Sequence, residues 1–138
     1  MRKILLMAAL CLASTTIYAQ QFGAALTAGD GVIFAGEGGN RVSAGTVYVY
    51  TRAEDGSWME TGKLKAPGSS DEANGFGRAL SVDGNTLVVG APTESAAYVF
   101  EKGEDGTWAN VARLEGFGVG LGSAVAISED QILVGSIG

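Results

Sequence analysis

The chain contains no histidine, and its single cysteine, Cys11, lies close to the N-terminus. Without histidine, neither a Ser-His-Asp triad nor a Cys-His pair can form, and zinc has no imidazole ligand. Beyond Cys11 there is also no thiol that could act as a nucleophile or form a disulfide. These absences exclude most nucleophilic and zinc-dependent catalysis, and we predict that the protein is not an enzyme and has no catalytic residues.

Long apolar runs are also missing, and the one near the N-terminus is too short to cross a membrane. Residues 4–13 are apolar, they follow the basic residues Arg2 and Lys3, and a small, polar stretch then ends at Ala19. A membrane span needs about 20 apolar residues, whereas this arrangement is typical of a secretory signal peptide. We therefore predict a signal peptide over residues 1–19, cleavage at Ala19, and a secreted protein in the extracellular or periplasmic space.

Positive charge is scarce as well. Nine Lys and Arg residues stand against fifteen Asp and Glu residues, so the net charge is −6. Loss of the predicted signal peptide removes Arg2 and Lys3 and brings the net charge to −8. An acidic surface disfavours nucleic acids and anionic membranes as partners, and we expect neither.

Glycine, in contrast, is abundant, with 22 residues, and it recurs at fixed places in a sequence repeat. Phe22-Gly23 corresponds to Phe76-Gly77 at an offset of 54 residues. The three copies fill most of residues 20–138 and cover about 22–66, 76–116 and 121–138, the third being incomplete. Repeats of roughly this length that carry several strands are typical of propellers, which need about 4–8 blades. We therefore expect this chain to be part of a larger propeller.

Each complete copy contains four segments with strand character. They are 24–28, 32–36, 46–51 and 58–64 in the first copy, and 79–82, 86–90, 97–101 and 108–114 in the second. Asp-Gly pairs separate consecutive segments at Asp30, Asp55, Asp83 and Asp105. Such pairs are strong hairpin signals, because a tight turn needs positive φ at its central residues. The fold class is therefore all-β, a partial β-propeller of four-stranded antiparallel blades.

Glycine and tryptophan recur at matching positions of the copies, which favours a structural role for both. Gly36 and Gly90 end the second strands, where glycine usually marks a close approach of backbone. Trp58 and Trp108 open the fourth strands. We predict that the tryptophans pack between adjacent blades, with a role as exposed platforms for sugars as the alternative.

Several of these residues together resemble the FG-GAP repeat. The resemblance is carried by Phe76-Gly77, Gly90-Ala91-Pro92 and Ala97-Tyr98-Val99-Phe100, and by Trp strands that end in Lys63-Leu64 and Arg113-Leu114. These endings are similar to the bacterial, secreted variant of the repeat. The first copy departs from the pattern because no Ala-Pro follows Gly36, and the third has Leu121 where the others have Phe.

FG-GAP repeats build the β-propeller of integrin α-subunits, so the resemblance implies cell adhesion or binding of an extracellular protein or carbohydrate. It also implies calcium loops between the first two strands. The corresponding segments here, 28–31, 82–85 and 128–131, offer only one or two carboxylates each. Because calcium takes six to eight oxygen ligands, we predict no metal site and no cofactor.

Two further sequence patterns are of kinds that can carry chemistry. Adjacent carboxylates occur at 54–55, 71–72, 104–105 and 129–130, and a suitable pair can hydrolyse glycosides. All four pairs lie in predicted turns or loops, where solvated acids are ordinary. The glycine-rich run 116–122 precedes a strand and lacks the Lys-Ser or Lys-Thr of a phosphate loop. We therefore predict that it connects the second copy to the third.

The sequence thus predicts a secreted, non-catalytic propeller module that binds an extracellular ligand. Two alternatives remain, namely the propeller part of a larger secreted enzyme and an oligomeric, lectin-like ring. Further blades would come from additional chain or from other subunits. Because 132–134 form an unprotected apolar strand, we expect two blades and a loose hairpin with low stability in isolation.

Overall fold

A computed structural model describes residues 21–39 and 41–138, which form ten strands and one short 3-10 helix. The predicted signal peptide, 1–19, and its cleavage site at Ala19 lie outside the described residues. The elements are β1 Ala25–Gly29, β2 Val32–Gly36, β3 Val47–Arg52, β4 Trp58–Leu64, β5 Ala79–Asp83, β6 Thr86–Ala91, the 3-10 helix Pro92–Glu94, β7 Ala96–Lys102, β8 Trp108–Glu115, β9 Ala124–Ser128 and β10 Gln131–Gly135.

The strands form three antiparallel sheets, each made of consecutive strands. The first sheet has the order β1-β2-β3-β4, the second β5-β6-β7-β8, and β9 pairs with β10 in the third. Strands β1, β5 and β9 lie side by side, so the sheets are arranged like neighbouring blades. The predicted all-β fold of propeller-type blades is confirmed, with β2 and β4 at the predicted bounds and the other predicted strands within one residue at each end.

A β-bulge interrupts the last strand pair of both complete blades at the same repeat position. The register shifts between Val49 and Tyr50 in the first blade and between Val99 and Phe100 in the second. In the second blade, the Asn110 Nδ2 donates to the carbonyl oxygens of Val99 and Ala112, both at 3.0 Å. The bulge lets β4 and β8 bend while the buried faces stay in register.

The core lies between the first and second sheets and combines aliphatic residues with a cluster of aromatic ones. Phe76, which is fully buried, meets Tyr98 and Phe100 edge-to-face at centroid distances of 5.6 and 5.9 Å. Phe34 of β2 meets Trp108 of β8 at 4.9 Å and 88°. Trp108 therefore packs between adjacent blades, as predicted, whereas Trp58 at the matching position is 45% exposed.

Glycine allows the blades to approach closely where the second strands end. A Cβ on Gly36 would lie 2.0 Å from the carbonyl oxygen of Gly77, and a Cβ on Gly90 would lie 2.0 Å from that of Gly122. No side chain fits at such distances, so the predicted close backbone approach occurs at both positions. Gly77 and Gly122 also have φ of 87° and 93°, a backbone region that favours glycine.

The hairpin turns differ in detail from the prediction. The turns after β1 and β5 have two residues, but only Gly31 and Gly84 within them have positive φ. Asp83 belongs to β5, and its Oδ2 accepts a hydrogen bond from the Glu129 N–H of the third sheet. The matching Asp30 lies inside its turn, so the two Asp-Gly pairs are shifted by one residue relative to the strands. Local sequence alone does not reveal this shift.

Candidate binding site

The two ends of the blades are built differently. Because consecutive strands are antiparallel, the turns that follow β1, β3, β5, β7 and β9 lie at one end, called here the hairpin face. The other connections lie at the opposite end, called here the loop face, and comprise residues 37–39, 41–46, 65–78, 92–95 and 116–123. Longer connections make the loop face the end where clefts can form.

A tyrosine and a glutamate anchor the loop after β2. The Tyr48 Oη donates a hydrogen bond to the Glu37 Oε2 at 2.7 Å, and Lys63 Nζ lies 4.9 Å from the centroid of the Tyr48 ring. The bond to Glu37 is the main reason why the pKa of Tyr48 is raised to about 12, and burial adds to it. Tyr48 is therefore protonated at neutral pH.

The second blade repeats this cluster with different residues. The Tyr98 Oη donates to the Glu94 Oε2 at 2.5 Å, and the Arg113 Nε donates to the Tyr98 Oη at 3.1 Å. Burial and then the hydrogen bond to Glu94 raise the pKa of Tyr98, while the bond from Arg113 opposes them. Both tyrosines fasten loops to strands, and neither is poised for proton transfer near pH 7.

Asn74 joins the two blades beneath the loop face. Its Oδ1 accepts hydrogen bonds from the Gly45 N–H at 2.9 Å and from the Phe76 N–H at 3.0 Å. The residue is buried, and its Nδ2 has no hydrogen-bond partner among the described residues. Sequence reasoning missed Asn74, because its partner Gly45 lies 29 positions away in the chain.

Two clefts open at the loop face, one at each junction between blades. The first, called here the arginine cleft, measures about 330 Å³ and is lined by Gln21, Gly38, Gly39, Arg41, Ala73, Gly75, Arg78 and Thr93. The second, called here the apolar cleft, measures about 310 Å³ and is lined by Arg78, Pro92, Thr93, Val119, Gly120, Ser123 and Ile137. Arg78 and Thr93 belong to both, so the two clefts are adjacent.

A third depression, the outer groove, lies between β3, β4 and the loop before Trp108, with a volume of about 490 Å³. Its polar groups already serve the fold. Asp105 holds its own turn, Lys63 lies over Tyr48, and the Trp108 ring packs on Phe34. The Trp108 Nε1 is buried and has no partner within the part of the chain that the structure describes.

The acidic pairs considered from sequence do not form one site. The pairs 54–55, 104–105 and 129–130 lie at the hairpin face, and 71–72 lies at the loop face. Asp55 and Asp105 hold their turns, since each Oδ1 accepts bonds from the backbone N–H and hydroxyl of Ser57 or Thr107. These bonds, from the hydroxyl first and then from the backbone, lower the pKa of both aspartates.

Within residues 21–39 and 41–138, no three carboxylate, imidazole or thiol groups come together in a way that could hold a metal ion. The same residues contain no helix of the length and apolarity needed to cross a bilayer. The segment 116–122 lies at the loop face and joins β8 to β9, as the sequence predicted.

Comparison with known proteins identifies one part of the chain. Residues 58–103 match a family model described as FG-GAP repeat, which confirms the predicted resemblance for this segment. The matched unit takes β4 from the first blade and β5, β6 and β7 from the second, so it spans the junction that carries the arginine cleft. No curated protein matches the chain.

Proposed function

We propose that this chain, which carries an FG-GAP repeat at residues 58–103, is an exported, non-catalytic binding module whose loop face binds an extracellular protein or carbohydrate. The observation that carries the proposal is the pair of adjacent clefts at the loop face, which both lie at junctions between blades. A junction between repeats is a natural place for a site, because loops of two rigid sheets meet there.

The state of the titratable groups supports a role without catalysis. Asp55 and Asp105 are exposed turn residues whose pKa values are lowered by hydrogen bonds that hold the turn. Tyr48 and Tyr98 donate to glutamates, and their pKa values are raised. An acid or base for catalysis needs a pKa near the working pH, and these shifts move the groups away from it.

A binding screen with matched variants tests the proposal. Phe117 and Val119 are exposed apolar residues of the loop face, whereas Val111 is an exposed apolar residue of β8. We expect the purified protein to bind a component of an array of extracellular proteins and polysaccharides, and the F117S/V119S variant to lose that binding. The V111S variant should bind like the wild type. Equal binding by all three proteins would place the site elsewhere and contradict the proposal.

We also propose that the module works without a metal cofactor. The turns after β1 and β5 have two residues each, which is too short for a cage of six or more oxygen ligands. The melting temperature should therefore be the same in EDTA and in added calcium. A higher melting temperature in calcium would show that the protein binds the ion.

Further blades next to the described ones are a second part of the proposal. Phe22 is 54% exposed while the equivalent Phe76 is fully buried, and Leu133 of β10 is 68% exposed. These surfaces favour neighbouring blades that come from additional repeats or from other copies of the chain. Light scattering on the purified chain distinguishes the two sources. A trimer would favour the oligomeric ring, and a stable monomer would exclude it.

A further inference from the structure

The arginine cleft is lined by positive charge in a protein of net charge −6. Arg41 and Arg78 both line it, and both are exposed. No Asp or Glu is among its described lining residues. The ion pairs found within the described residues use Lys63 and Arg113, so neither cleft arginine has an ion-pair partner there.

The walls of the cleft are built from glycines that meet polar groups at close range. A Cβ on Gly38 would lie 2.3 Å from the backbone nitrogen of Arg78, and a Cβ on Gly39 would lie 2.0 Å from the Gln21 Oε1. A Cβ on Gly75, which has positive φ, would lie 3.0 Å from the Thr93 Oγ1. The backbone of the cleft wall is thus tightly packed at these three glycines, and larger residues here would alter the cleft.

Uncharged donors add to the guanidinium groups. Thr93 contributes a hydroxyl, and Gln21 an amide. A group that accepts several hydrogen bonds and carries negative charge satisfies this combination.

The apolar cleft determines what lies next to that anion. It begins at Arg78 and Thr93 and continues along Pro92, Val119 and Ile137. A ligand that spans both clefts therefore presents an anionic group and an apolar group side by side. A planar carboxylate fits the fork of an arginine in a bidentate manner, and an acidic residue followed by an aliphatic one carries an anionic and an apolar group at neighbouring positions.

We propose that the two clefts bind a peptide segment in which a carboxylate contacts Arg78 and Arg41, and the neighbouring aliphatic side chain lies in the apolar cleft. The inference rests on the proposed binding function and assigns its ligand chemistry. Small organic acids and inorganic phosphate share the anionic chemistry but have no group for the apolar cleft.

An NMR titration of the isotope-labelled protein tests this assignment. The probes are a blocked tetrapeptide with adjacent aspartate and valine, the same peptide with asparagine for aspartate, and acetate and inorganic phosphate. We expect the aspartate peptide to shift the signals of Arg78 and Val119 and to bind at least about tenfold more tightly than the asparagine peptide, since hydrogen bonds between charged groups are the stronger class. Acetate and phosphate should bind more weakly than the aspartate peptide.

Matched arginine variants give the second arm of the experiment. Arg78→Gln and Arg41→Gln should each weaken binding of the aspartate peptide, with at least about a tenfold loss for Arg78→Gln. Arg52→Gln is the control, because Arg52 ends β3 next to the hairpin face and is also exposed. Equal affinity for both peptides, an unaffected Arg78→Gln variant, or phosphate binding as tight as the peptide would each overturn the inference.

Failure of this inference is distinguishable from failure of the proposed function. If F117S/V119S abolishes binding to the array while Arg78→Gln and Arg41→Gln leave it intact, the loop face binds a ligand that is not recognised through a carboxylate. If F117S/V119S, Arg78→Gln and Arg41→Gln all leave array binding unchanged, the proposed function itself is wrong.

Discussion

At Gly36 and Gly90 the missing side chain is what lets one repeat approach the next. The two positions face the carbonyl oxygens of Gly77 and Gly122 across the junctions. Gly135 holds the same repeat position in the third sheet, but a Cβ there would meet only Ala124 at 3.4 Å, an ordinary contact. Glycine is therefore required at positions 36 and 90, whereas position 135 can accept a small side chain.

We predict that Gly90→Ala lowers the free energy of unfolding by about 1–3 kcal/mol or more, because the Cβ collides with backbone that must move. Gly135→Ala is the matched control and should change it by no more than about 0.5 kcal/mol. Urea unfolding of both variants measures the difference. Similar values for the two would mean that the junction after β6 is looser than described.

Tyr48 gives a prediction at high pH. Its pKa is raised from 10.0 to about 12 by the bond to Glu37. The contribution of this hydrogen bond to the free energy of unfolding is therefore complete below pH 10 and is lost as the pH rises through 12. Ultraviolet difference spectra of wild type and Tyr48→Phe should place this tyrosine's ionisation near pH 12. Ionisation near pH 10 would show that the hydrogen bond is absent.

At the scale of single elements, the loops between the third and fourth strands of the blades are held by one aspartate each. Asp55 and Asp105 make equivalent bonds to Ser57 and Thr107. The Ala53 and Gly103 N–H groups donate across these loops to the Ser57 and Thr107 carbonyls, both at 2.8 Å. The loops are thus closed turns rather than free connections.

The aspartate turns predict how stability changes in acid. The pKa values of Asp55 and Asp105 are lowered in the folded state. Their contribution to the free energy of unfolding is therefore present above the ordinary pKa of 3.8, and it is lost as the pH falls through the folded-state pKa values. D55N and D105N should therefore lose less stability than the wild type between about pH 5 and pH 2. Thermal melts across this range provide the measurement. Asp30→Asn is the control, since the Asp30 carboxylate accepts no hydrogen bond from the described residues.

At the scale of the whole molecule, sheets are joined by aromatic packing and by a few polar bonds. Phe34 and Trp108 connect the first two blades. The Ser81 Oγ accepts from the Ile127 N–H at 3.1 Å and connects the second blade with the third sheet. Contacts between neighbouring sheets therefore add to the stability of each sheet, as in other repeat proteins.

Trp108 and Trp58 test this dependence on neighbours. Trp108→Ala should cost about 3–5 kcal/mol, because it empties the junction next to Phe34. Trp58→Ala should cost clearly less, since Trp58 is 45% exposed. Chemical denaturation of both variants gives the comparison. In a larger assembly in which a further blade covers Trp58, the two substitutions should lower the free energy of unfolding by similar amounts. Equal losses in the isolated chain would contradict the described exposure of Trp58.

Much of the fold could be predicted from local sequence. Strands β2 and β4 have the predicted bounds because an apolar run in β2, and the Asp-Gly turns that precede both strands, mark them locally. The bulge after Val49, the interblade bond of Asp83 and the buried Asn74 could not be predicted. Each depends on a partner that lies far away in sequence or on a one-residue change of register.

The candidate site was predicted only in outline. The sequence indicated a binding module without assigning residues to a site. Arg41 and Arg78 are 37 positions apart and lie in different copies, so no local motif connects them. They line one cleft because the two blades are adjacent.

By itself, the sequence determined the repeat, the strands of each blade and the residues that mark their turns, because these follow from periodicity and backbone preference over a few neighbouring residues. Only the tertiary structure decided which glycines face a neighbouring backbone, which tryptophan is packed and which arginines share a cleft. Those outcomes depend on the contact between one copy and the next, and equivalent residues such as Trp58 and Trp108 differ only in whether a neighbour covers them.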